Sequence, residues 1–167
     1  KYFCSPPGEL AARIRELNGD ADAPLWCVGV DTGAVQAVNC RLRRPKVFAG
    51  AIGLSGLYDV CRFLGSAEDD LVLRNAPLAY LPEGIVDAKA FAKAEENHLL
   101  LCAGQGGYEE DAQADTRALA AALAAAGIPA HCEIWGSDVS HDWYWWGKEL
   151  NIFAERVFGR GQEKTHA

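Results

Sequence analysis

Short, unbroken apolar runs alternate with longer amphipathic stretches along this chain. Four of the runs, Leu25–Val30 (LWCVGV), Val47–Ser55 (VFAGAIGLS), His98–Ala103 (HLLLCA) and Ala130–Trp135, have the length and continuity of buried strands. Between them the spacing becomes helical. Leu10, Ile14 and Leu17 mark one helix face, entered at Ser5-Pro6-Pro7, where a hydroxyl caps and a missing N–H costs nothing, and left at Asn18-Gly19. A second helix runs from about Gly33 to Arg44 and stops at Pro45; its closing Arg41, Arg43 and Arg44 suit the negative end of the helix dipole. Asp111 to Ala126 forms an alanine-rich helix, with Gly127 where a left-handed cap belongs. Trp146, Leu150, Phe153 and Val157 recur at helical spacing and define one buried stripe on a last helix. The middle is less regular. "YDVCRFLG" reads as a short helix, "NAPLAYLPEG" as a loop broken by Pro77 and Pro82, and Val86 to Asn97 as helical.

Strand–helix alternation with continuous apolar strands implies a mostly parallel sheet covered on both faces. The expected fold is one α/β domain over residues 1–167, a three-layer α/β/α sandwich of about four strands. In such sheets ligands bind beyond the carboxyl ends of the strands. Asp31 follows the first strand, Ser55 ends the second, Glu109 and Glu110 follow the third and His141 follows the fourth. All the candidate titratable groups therefore fall on one rim.

The turn after the first strand, Gly29-Val30-Asp31-Thr32-Gly33, keeps the spacing of a nucleophile elbow, G-x-S-x-G, with Asp31 in place of the serine. Elbow, then acid, then histidine is also the chain order of α/β-hydrolases. With "GVDTGAVQAVN", "FAGAIGLSGLYDVCRFLG", "AYLP", "LLLCAGQGGYEED" and "GSDVSHDWYWWGKEL", the chain resembles the C-terminal half of the esterase-like α/β-hydrolases. The resemblance implies the hydrolase topology without its N-terminal strands. It makes His141 the catalytic histidine and Glu109 the first choice for the acid, with Glu110 or Asp111 in reserve. It makes Thr32 a backbone oxyanion donor, and Gly29 and Gly33 the elbow glycines. The second oxyanion donor would come from a loop of the family's N-terminal half.

Asp31 changes the chemistry. A serine gives its proton to histidine and attacks an acyl carbon, whereas a carboxylate attacking an acyl ester would form an anhydride. Attack on an sp³ carbon instead gives an alkyl ester that a histidine-activated water can cleave, as in the dehalogenases and epoxide hydrolases of this fold. Two readings follow. In the first, the chain is an esterase-like homologue without a serine nucleophile, a non-catalytic structural or regulatory subunit whose Asp31 merely tolerates the turn. In the second, it is an active hydrolase with Asp31 as nucleophile, His141 activating water and Glu109 orienting the histidine. Ser55, in "GLSGL", misses the elbow pattern because Leu57 stands in the second glycine's place, and reads as a strand-end serine. Trp143, Tyr144, Trp145 and Trp146 either line a pocket or, half of them, pack into the core. His98, His131 and His166 show no metal-ligand spacing, so neither metal nor cofactor is expected.

Composition narrows the partners. A net charge of −7 without a basic cluster argues against nucleic acid and anionic membranes, and no apolar run approaches a membrane span. Six scattered cysteines without a C-x-x-C pair, three of them (Cys27, Cys102, Cys132) in expected buried strands, suit a reducing, cytoplasmic setting. The chain has no methionine and begins at Lys1, as a processed piece or part of a longer protein would. In the hydrolase fold the elbow strand is central, so Leu25–Val30 would here have an open edge and bare faces. Leaving Leu25, Trp26, Val28 and Val30 wet would cost on the order of 5 kcal/mol. Another polypeptide, a missing N-terminal segment or a second copy is therefore expected to pair with this strand.

Overall fold

The apolar runs become four parallel strands lying side by side in chain order. The computed structural model describes residues 7–65, 69–95 and 98–159. Its strands are β1 (Leu25–Val30), β2 (Phe48–Leu54), β3 (Leu99–Ala103) and β4 (His131–Ile134), in the order β1-β2-β3-β4. Cys27 pairs with Ala51, Ala51 with Leu99 and Leu100 with His131. The described helices are α1 (Pro7–Asn18), α2 (Thr32–Arg43), α3 (Cys61–Leu64), α4 (Asp70–Leu73), α5 (Pro77–Tyr80), α6 (Glu110–Ala125) and α7 (Trp143–Phe158).

Both faces of the sheet are buried, and the two-residue period of β3 shows it directly. Leu99 and Leu101 join one core with Val35, Val38 and Leu42 of α2 and Leu119 and Leu123 of α6. Leu100 and Cys102 join a second core with Ile52, Leu54, Trp146 and Phe153. The stripe expected on the last helix is therefore the inner face of α7, where Leu150 and Val157 also pack. Gly127 adopts φ +70°, as its cap position requires.

Several expectations are corrected. "NAPLAYLPEG" is not simply a loop: Pro77 opens the one-turn helix α5, where its missing N–H is harmless, and the Tyr80 hydroxyl donates to Asn39 Oδ1 at 2.7 Å. In the Val86–Asn97 segment the only helical element among the described residues is a 3₁₀ turn, Ala88–Phe91, capped by Asp87; residues 96 and 97 lie outside the described residues. The Ser5 helix entry also lies outside them. Cys132 is exposed, on β4, the last strand in the described sheet.

The faces of β1 are better covered than its sequence suggested. Leu25 is buried against Ala11 of α1 and Phe48. Trp26 lies over Gly50, where any Cβ would strike its ring, and meets Phe158 edge-on at 5.6 Å. Val30 packs on the second core, and Val28 alone of the four is largely exposed, at 47%. The apolar deficit is thus smaller than expected, but no described strand covers the second hydrogen-bonding edge. Among the described residues β1 pairs only with β2. No described helix is long and apolar enough to cross a membrane.

Candidate active site

Among the described residues three non-glycine residues have positive φ, each in a connection that follows a strand on one rim: Asp31 at 54°, Ser55 at 45° and Tyr108 at 64°. Such conformations cost about 1–3 kcal/mol each and persist where the surroundings enforce them. Asp31 has ψ −130°, outside the left-handed helical well, so aspartate's tolerance of that well does not account for the turn. Neighbouring backbone does: Asp31 N–H donates to Leu54 O at 3.0 Å, and Asp31 O accepts from Ala34 N–H at 3.0 Å. Gly29 lets the turn close, because a Cβ there would lie 2.1 Å from Gly33 O. Gly33 faces open space and is not required in the same way.

The side chain of Asp31 is held at both oxygens. Oδ1 accepts the Thr32 N–H, the group that resemblance assigned to the oxyanion hole, and Oδ2 lies 3.5 Å from His141 Nε2. His141 comes from the loop after β4, which is locked to the loop after β3. Gly104 and Gly106 press on the Val139 carbonyl so closely that a Cβ at either would strike it, and His141 N–H donates to Gly107 O at 3.0 Å. This docking carries His141 to Glu109. Nδ1 lies 3.2 Å from Glu109 Oε1, at ion-pair distance but not aligned for a hydrogen bond.

Glu109 is completely buried. Its Oε1 accepts from Ser55 Oγ at 2.6 Å and its Oε2 from Gly104 N–H at 3.2 Å, so the charge is compensated at both oxygens. Ser55 accepts in turn from Trp146 Nε1–H at 2.9 Å. Asp142, beside His141, caps α7 by accepting from the N–H groups of Tyr144 and Trp145. One turn along α7 from Trp146 lies Glu149, also fully buried. Its Oε1 meets the Cys102 thiol at 3.4 Å and its Oε2 has no partner. Burial, reinforced by repulsion from Glu109 and opposed by the Cys102 bond, pushes the Glu149 carboxyl up to about 7.

The structure therefore brings together Asp31, Thr32, His141 and Glu109. It does not bring in Glu110, which is exposed at the start of α6, or Asp111, which pairs with Arg62 at 3.3 Å. Of the aromatic run only Trp146 is buried; Trp143 stacks edge-on upon it while remaining 77% exposed. The sequence reading missed what Ser55, Trp146 and Glu149 do. Ser55 does sit at a strand end, but it supports the acid. The available signal was a polar residue closing a buried strand and another, Glu149, within the α7 stripe region.

No family model matches the chain, and no curated protein sequence does. Solved structures do match. A ferulic acid esterase superposes with a TM-score of 0.62 at 20% identity, covering 90% of this chain and 59% of that one. MPT51 (FbpC1) of Mycobacterium tuberculosis gives 0.68 at 15% identity, covering 90% and 65%. The enterobactin esterase FES of Shigella flexneri gives 0.60 at 20% identity, covering 90% and 36%. At such identities these neighbours establish the fold alone: an α/β sheet of α/β-hydrolase type. The chain spans less than two thirds of the length of each of these three.

Proposed function

We propose that this chain is an esterase-like α/β-hydrolase homologue that does not perform serine acyl transfer and acts as a non-catalytic structural or regulatory subunit. The observation that carries this reading is the use of the Thr32 N–H by Asp31's own carboxylate. In acyl transfer that donor must be free to bind the oxyanion. Here it is occupied by the residue in the nucleophile's place, which offers no hydroxyl for His141 to activate. Ser55, which supports the acid, is 1% exposed and spends its proton on Glu109. The protein should hydrolyse no simple acyl ester and form no adduct with a serine-directed phosphonate, read by intact mass. An adduct on Ser55 would overturn the reading.

A second reading is favoured by the proximity of Asp31 Oδ2, His141 and Glu109, at 3.5 Å and 3.2 Å across the imidazole, with Glu109 anchored at both oxygens. That is the set needed for carboxylate attack on an sp³ carbon. Oδ2 would form a C–O bond as the carbon–leaving-group bond breaks, with the electron pair departing on a halide or on an epoxide oxygen that then takes a proton from solvent water. His141 would next take a proton from water, which attacks the Asp31 Cγ and releases the alcohol.

The same proposal includes a partner. The edge of β1 that no described strand pairs with supports pairing with a strand from another polypeptide or from an upstream segment of a longer chain. Residues 1–167 alone should self-associate or precipitate at micromolar concentration in sedimentation, with the free-edge amides of Leu25–Val30 exchanging fast. A stable monomer in which all these amides exchange slowly would contradict the pairing.

A further inference from the structure

Trp146 reaches both His141 and the acid behind it. Its indole donates to Ser55 Oγ at 2.9 Å, Ser55 lies 2.6 Å from Glu109 Oε1, and its ring meets the His141 ring edge-to-face at 4.9 Å. The direction of these bonds follows from the groups themselves. An indole N–H only donates, and a hydroxyl has one proton, so the bonds run from indole to hydroxyl to carboxyl. Ser55 is fixed independently by its strained φ and by its N–H, which donates to Cys102 O at 2.7 Å. All three side chains are buried. The oxygen that Ser55 holds, Oε1, is the same one that lies 3.2 Å from His141 Nδ1.

We propose that Ser55 and Trp146 are positioning residues that hold Glu109 Oε1 beside His141 Nδ1, so that an indole on α7 acts on the histidine through a serine and a carboxyl. With Oε1 held by Ser55 and Oε2 by the Gly104 N–H, the Glu109 carboxyl cannot turn. Without the Ser55 hydroxyl one anchor remains, the carboxyl rotates, and His141 loses a fixed negative neighbour that favours its charged form. The arrangement does not depend on turnover at Asp31, so it stands or falls separately from the function proposed above.

The test is an NMR titration of the His141 imidazole in the full chain. Ser55→Ala should lower the midpoint by up to about one pH unit, the lower end of what an opposite charge within reach contributes, because the charge is loosened and not removed. Trp146→Phe, which keeps a ring and deletes the N–H, should shift it the same way by less. In a Glu109→Gln background, adding Ser55→Ala should move it no further. An unchanged midpoint in Ser55→Ala overturns the proposal, as does a shift that persists in the Glu109→Gln background. Should Ser55→Ala fail to fold, Trp146→Phe decides alone, and an unchanged midpoint there also overturns it.

Discussion

Replacing Glu149 with glutamine should stabilise the protein by up to about 3 kcal/mol at pH 8 and change it little near pH 4. Glu149 is fully buried, and its carboxyl is raised from an ordinary value of 4.5 to about 7. As pH climbs past 4.5 the unfolded chain gives up this proton while the folded chain keeps it. Unfolding is then favoured progressively until the folded group also ionises near 7. The distance between these two values, at about 1.4 kcal/mol per pH unit, sets the size of the loss. Glutamine has nearly the same shape and no titration, so its urea midpoint should not carry this decline. Parallel pH–stability curves for the parent and Glu149→Gln would show that the buried carboxyl is not paying this penalty.

Gly29→Ala should cost about 3 kcal/mol or more, whereas Gly33→Ala should be neutral or stabilise by about 0.5 kcal/mol. The two glycines are equivalent in the elbow pattern and unlike in space. A Cβ on Gly29 would lie 2.1 Å from Gly33 O, 2.3 Å from Gly33 C and 2.6 Å from Ala34 N, all backbone atoms that a rotamer change cannot move. A Cβ on Gly33 meets nothing within 4 Å, near the start of α2, where alanine is the better helix residue. Thermal melts of the two variants read the contrast, and an equal loss in both would mean that the elbow is held in some other way.

What was legible in the sequence is what local pattern controls. The strands showed because both their faces are buried, which leaves runs such as Leu99–Ala103 wholly apolar. The rim position of Asp31, Glu109 and His141 followed from the strand ends alone. The middle of the chain was opaque for the opposite reason. α4 and the 3₁₀ turn at Ala88 are single turns, each capped by one aspartate, too short for periodicity to register. They are fixed instead by tertiary packing, with Val72 of α4 and Phe91 of the 3₁₀ turn both buried. The support of the site was hidden likewise, because Trp146 and Ser55 meet across 91 positions of sequence. Asp31's backbone was misjudged because a residue name suggests which wells it tolerates, whereas ψ here is imposed by β2 and α2.

The central claim, that Asp31 fills the nucleophile position without acting as a nucleophile, is tested most directly at its carboxylate. The protein is incubated with a panel of epoxides and haloalkanes in heavy-oxygen water, and the peptide containing Asp31 is weighed by mass spectrometry. The account predicts no heavy oxygen in Asp31 and no turnover. Heavy oxygen entering the Asp31 carboxylate in step with product, and lost in an Asp31→Asn variant, would contradict it.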